Sequence, residues 1–133
     1  MNSRTSFCKV ILLISCGFFL VSCAVAMTKG QTWLDSKKDN PAINVSGSWT
    51  SPEWGSARLK QDGREVSGAL GDYPVKGVVS GDNLYLLMYS GSKIDYSAEL
   101  KALDNKTLKG SYSKYSIVEQ ADHKKPINLK RMD

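Results

Sequence analysis

From residue 45 to the C-terminus the chain is cut into short runs by turn-forming residues about ten positions apart, and this spacing limits its fold more than any other feature. The breaks are Asp62-Gly63, Gly71-Asp72, Gly81-Asp82-Asn83, Gly91-Ser92 and Asp104-Asn105. Aspartate, asparagine and glycine tolerate the positive φ angles that tight hairpins require. The runs between them predict strands at 45–50, 56–61, 64–70, 73–80, 84–90, 93–102, 107–115 and 125–131. Many short strands with regular turn signals form sandwiches or barrels.

Alternation assigns faces. Ile94, Tyr96, Ala98 and Leu100 point one way, and Lys93, Asp95, Ser97, Glu99 and Lys101 the other, as on a half-buried strand. Ala57 and Leu59 oppose Arg58 and Lys60 in the same manner. Residues 84–89 are apolar on both faces, so their outer side needs a cover: nearby side chains, the preceding segment with Trp33, or a partner. In Val66-Ser67-Gly68, Val75-Lys76-Gly77 and Leu108-Lys109-Gly110 the glycine shares the inner face with the aliphatic residue, where a narrow barrel has least room and must bend. The expected fold is all-β: a small antiparallel up-and-down meander of about eight short strands closing into a barrel, which removes sheet edges. Such a barrel either fills its interior with side chains or holds one small ligand, and strands this short favour filling.

The N-terminal part has a different character. Residues 1–9 carry Arg4 and Lys9 and no acid, and the apolar run 10–21 follows. A basic flank before a short apolar core is the layout of a secretory signal, and the core is shorter than the ~20 residues of a bilayer span. The core ends in Leu20-Val21-Ser22-Cys23. This tetrad resembles the lipobox of bacterial lipoproteins, which implies cleavage before Cys23 and acyl chains on that cysteine. At ~0.8 kcal/mol per buried methylene, two or three chains hold a protein far more firmly than one. Two alternatives stay open: cleavage before Met27 after Ala24-Val25-Ala26, and retention of the apolar run as an anchor. The division is a signal peptide at 1–22, a lipidated cysteine and flexible tether at 23–44, and a barrel domain at 45–133. Trp33-Leu34 is the apolar exception in the tether, expected to dock on the domain. With Ala24 rather than aspartate after the cysteine, the resemblance implies the outer membrane, with the domain facing the periplasm.

Much chemistry is excluded by shortage. Of Cys8, Cys16 and Cys23, two leave with the signal and one is the anchor, so the mature chain forms no internal disulfide. His123 is the only histidine, too few for an ordinary zinc site, and no cofactor motif is present. It lies in a polar loop away from any nucleophile motif, so the chain is read as no enzyme. Lys37-Lys38, Lys124-Lys125 and Lys130-Arg131 are the only basic pairs, without the aromatic-rich basic stripe of a nucleic-acid binder. All three pairs read as parts of a solvated face, and the first also suits anionic lipid headgroups beside the tether.

Gly47-Ser48-Trp49 on the first strand resembles the Gly-x-Trp motif of lipocalin and avidin-like barrels. That resemblance implies a basic residue of the last strand packed across Trp49. Arg131, on the face of Ile127 and Leu129, is the candidate. Asp95-Tyr96 faintly resembles the second lipocalin motif. Tyr89-Ser90-Gly91-Ser92-Lys93 resembles the exposed loop of small lipoprotein barrels that inhibit c-type lysozymes, implying a lysine aimed at an acidic cleft. Two classes of function follow. In the first, favoured by domain size, an anchored envelope lipoprotein is a non-enzymatic structural or protein-interaction module with an envelope protein as partner. In the alternative, the barrel mouth binds a small apolar or envelope-derived ligand against Leu59, Leu86, Tyr96 and Tyr112.

Overall fold

The computed structural model describes residues 29–132; Cys23 and the signal-like run lie outside the described residues. Eight strands follow the predicted runs closely: β1 (Gly47–Ser51), β2 (Gly55–Asp62), β3 (Glu65–Leu70), β4 (Tyr73–Ser80), β5 (Asn83–Ser90), β6 (Lys93–Ala102), β7 (Thr107–Lys114) and β8 (Lys125–Arg131). Each is antiparallel to the next, and β1 pairs with β8 through Trp49 opposite Arg131 and Thr50 opposite Lys130. The meander is therefore a closed barrel. One end carries the entry to β1, the exit from β8 and the turns after β2, β4 and β6. The opposite end carries the turns after β1, β3 and β5 and the loop from β7 to β8.

Inward positions on every strand supply one buried cluster, including Trp49, Leu70, Leu86, Met88, Leu100 and Ile127. Burying side chains of this size contributes about 1.5–3 kcal/mol each relative to exposure. The inner-face glycines have a sharper purpose than saving space. A Cβ on Gly110 would stand 1.7 Å from the Glu99 carbonyl oxygen, and one on Gly77 2.1 Å from that of Tyr85. Gly68 meets the Arg58 carbonyl oxygen at 2.0 Å in the same way. The constraint is the backbone of the neighbouring strand, which curls over the glycine where the barrel bends.

One face assignment changes. Met88 pairs with Tyr96 but Tyr89 pairs with Ile94, so β6 holds one extra residue there. Such a bulge inverts the alternation. Tyr96, Ala98 and Leu100 face inward as expected, whereas Ile94 turns outward and packs beside Leu87.

Residues 29–44, read from sequence as tether, lie against the barrel. Helix α1 (29–35) crosses the outer faces of the middle strands. Leu34 is fully buried and Trp33 nearly so, in a second cluster with Val78, Tyr85, Leu87 and Val118. Trp33 meets the Tyr85 ring edge-on at 5.5 Å. This is the cover that residues 84–89 require. Farther on, the Asp39 N–H donates to Ser80 Oγ (2.9 Å), and Ala42 N–H donates to the Gly81 carbonyl (2.7 Å). The segment lacks a long apolar period because only Trp33 and Leu34 need face the barrel.

The loop after β7 completes the cover with a 3-10 turn, Val118–Gln120. Ser97 and Ser113, on the outer face yet buried, fix it. Both hydroxyls donate to the Ser116 carbonyl (2.7 and 2.8 Å), and Val118 N–H donates to Ser97 Oγ (2.8 Å). Buried hydroxyls are tolerated when paired in this way.

Candidate functional site

The end carrying the chain entry is sealed by Trp49 and Arg131. The guanidinium carbon lies 4.3 Å from the indole ring centroid. Its nitrogens donate to three carbonyls: Nε to Asn105 (3.0 Å), Nη1 to Ser46 (2.6 Å) and Nη2 to Asn44 (2.7 Å). Trp49 Nε1 donates to the Val45 carbonyl at 2.9 Å. The arginine thus ties the incoming segment and the β6–β7 turn across the tryptophan. An open cavity of about 430 Å³ lies beside this seal, lined by Ile43, Val45, Trp49, Leu103, Leu108 and Arg131 among others.

The opposite end is stoppered by aromatic rings. Trp54, from the β1–β2 hairpin, stands edge-on to Tyr73 (5.6 Å), Tyr96 (5.0 Å) and Tyr112 (5.1 Å). Tyr96 also meets Tyr73 at 5.4 Å and Tyr112 at 6.0 Å. Edge-to-face pairs at these separations contribute about 0.5–1.5 kcal/mol beyond the area they bury. Glu53 pins the hairpin by accepting from the Asn128 backbone N–H (2.7 Å) and side-chain amide (3.1 Å). Burial, then the neighbouring Tyr96 and Asp95, push the Tyr73 phenol above its ordinary value.

The four residues proposed from sequence to line a ligand site fall into one packed cluster. Leu59 and Leu86 are buried in the interior, while Tyr96 and Tyr112 pack against it and belong to the stopper. None of the four lines the cavity at the Trp49 end. Trp54 carries no periodic signal in the sequence, because a lone aromatic at a hairpin tip has no alternating neighbour to give it a face. The Pro52-Glu53-Trp54-Gly55 turn, with a large apolar residue where turns prefer small polar ones, was the available signal.

Outside the stopper lies an exposed rim. Tyr115 is 64% exposed and, at φ 62°, is the only described non-glycine residue with positive φ. A bulky residue adopts that conformation at a cost of about 1–2 kcal/mol. Lys93 and Lys114 stand over its ring at 5.2 and 4.9 Å, and its backbone N–H donates to the Asp95 carbonyl at 2.8 Å. The Ser90–Lys93 hairpin, exposed throughout, belongs to the same rim.

Lys37, read as available to lipid headgroups, is instead engaged. It pairs with Glu119 of the 3-10 turn and stands 4.8 Å over the Tyr85 ring. The hydrogen bond from Lys37 holds the Glu119 carboxyl below its ordinary value against the opposing effect of burial. Burial works to lower the Lys37 ammonium, but the hydrogen bond and charge of Glu119 raise it on balance.

His123 is exposed, and no group of three or more metal-ligating side chains gathers among the described residues. No described helix is long and apolar enough to cross a membrane. No protein-family model, curated protein or solved structure matches the chain significantly. Its geometry is that of an eight-stranded antiparallel barrel in meander order, compatible with a calycin-like fold.

Proposed function

We propose that the chain is a lipid-anchored lipoprotein of the bacterial envelope, facing the periplasm from the outer membrane. Its barrel is a non-enzymatic structural or protein-interaction module. The observation that carries this reading is the barrel's interior, packed along its length, sealed by Trp49 with Arg131 and stoppered by Trp54 with three tyrosines. A barrel occupied by its own side chains leaves recognition to its outer surface and loops. The lipobox-like tetrad ending at Cys23 supports the anchor. The stacked Trp49 and Arg131 support the likeness to lipocalin and avidin-like barrels as a matter of fold, which does not supply a ligand.

One observation favours the second reading, a binding module. The cavity beside Arg131, at about 430 Å³, falls within the size range of small-molecule sites and has an apolar wall of Ile43, Val45, Leu103 and Leu108. It is an open hollow at the sealed end, away from Leu59, Leu86, Tyr96 and Tyr112.

Native mass spectrometry of the protein released from its own membrane tests both. The expected species begins at Cys23, carries acyl groups and holds no further small molecule. A chain without acyl groups would overturn the anchor. A stoichiometric small molecule retained in the folded protein would replace the first reading with the second.

A further inference from the structure

The structure assigns a membrane-facing side to the barrel: we propose that the rim of Lys93, Lys114 and Tyr115 rests on the phospholipid headgroups of the membrane that holds Cys23. This inference rests on the lipoprotein reading and adds an orientation to it.

The first argument is the length of chain before the described residues and the point at which it joins them. Only residues 24–28 separate Cys23 from Lys29. At no more than about 3.6 Å per residue, Cys23 lies within roughly 22 Å of Lys29, so the barrel hangs close to its anchor. The joining point lies toward one end. A Cβ on Gly30 would stand 2.7 Å from Ile94 Cδ1 and 2.9 Å from Leu87 Cδ1, and Ile94 is the second residue of β6. From there α1 runs away from the rim, since the Leu34 and Lys37 carbonyls both accept from Arg64 beyond the far end of β2. The chain thus meets the outer wall between Leu87, at mid-strand, and Ile94, on the half nearer the aromatic-stoppered end, and leaves toward the sealed one.

The second argument is the chemistry of that rim. Lys93 adjoins Ile94, and its ammonium shares the Tyr115 ring with that of Lys114. Tyrosine and lysine together suit the headgroup layer, where an amphipathic ring and a flexible cation each find a partner. Anionic headgroups attract lysines held within a Debye length of the surface. Lys29, also exposed, adds a third cation; Asp95 is the acid on the same stretch of β6, and Glu53 and Asp72 are exposed acids on the other turns of this end. Tyr115 holds an unfavourable backbone conformation although its side chain is mostly exposed, so burial of the ring in the core does not account for that conformation.

The test uses the full-length protein as the cell processes it. Acylated Cys23 leaves no free thiol in the mature chain, so a single cysteine placed elsewhere is labelled cleanly. Ser92→Cys marks the rim and Asn105→Cys the sealed end. Each labelled lipoprotein is reconstituted in vesicles of phosphatidylethanolamine and phosphatidylglycerol carrying a nitroxide quencher on the headgroup. The expected result is loss of fluorescence at position 92 and its retention at 105. Lys93→Glu with Lys114→Glu should abolish the difference while the protein stays on the vesicles. Equal quenching at both positions, or stronger quenching at 105, overturns the orientation. No quenching at either position in vesicle-bound protein overturns the lipid as occupant and leaves the rim to a protein. Absence of acyl groups in a mass spectrum of the same sample is the separate failure of the anchor reading.

Discussion

Arg131 uses its plane and its edge at once, stacking on Trp49 while donating to three backbone carbonyls. Lysine can reproduce the charge but neither the flat stacking surface nor the fork of donors. Arg131→Lys should therefore lower the unfolding free energy by about 2–3 kcal/mol, the scale of losing charge-assisted hydrogen bonds at a partly buried site. Urea denaturation followed by tryptophan fluorescence would measure it. An unchanged midpoint would show that the seal does not depend on the fork.

The Lys37–Glu119 pair gives the molecule a readable pH response. Glu119 titrates below its unfolded value, so its contribution is complete above the ordinary glutamate value of about 4.3 and is lost as pH falls through the lower folded value. Lys37 titrates above its unfolded value, so its contribution is complete below about 10.4 and is lost as pH rises through the folded value. Both side chains are partly exposed, which keeps the pair at under ~1 kcal/mol. Glu119→Gln should reduce stability slightly at neutral pH and flatten the acid limb of a plot of urea midpoint against pH. Parallel acid limbs in the two proteins would show that Glu119 does not couple to folding.

Among the elements, β7 shows most plainly how close neighbouring strands come. Gly110 lies opposite Leu100 and Ile127, and a methyl group there meets the Glu99 carbonyl rather than a movable side chain. Gly110→Ala must push β6 and β7 apart, at a cost of more than about 2 kcal/mol, the upper range for overpacking. A lower thermal midpoint with weakened amide protection on Leu100 is the expected outcome. Near-wild-type stability would mean that the strands slide freely at this point.

The strands were legible because period-two alternation and Asp, Asn and Gly at hairpins act locally, within a few residues. What escaped was determined across the chain. The outward turn of Ile94 comes from one extra residue in β6, which no single-strand pattern reveals. Helix α1 earns its place through Leu87, Tyr85 and Val78, fifty or so positions away, rather than through its own periodicity. The pairing of Trp49 with Arg131 came from the resemblance of Gly47-Ser48-Trp49 to a Gly-x-Trp motif, with alternation selecting Arg131, whereas the Trp54 stopper required knowing which hairpin closes over which end.

At the scale of the whole molecule, nearly all strand pairing is between neighbours in sequence, and ring closure alone joins the first strand to the last. That seam is also the thinnest, with two paired positions between β1 and β8. Consecutive hairpins can form early, but loop-closure entropy delays a contact between distant strands until the rest is in place. The outer clasp of α1 and the 3-10 turn then lies over the middle strands, bringing residues far apart in the chain into one cluster.

The docked segment at 29–44 also decides where tension goes. A pull on the chain from its N-terminal side loads α1 first, then the contacts of Asp39 and Ala42 with Ser80 and Gly81, and only afterwards β1. The two-position seam is thus the last link in the line of force. The segment acts as a strain relief, taking load before the barrel's seam does.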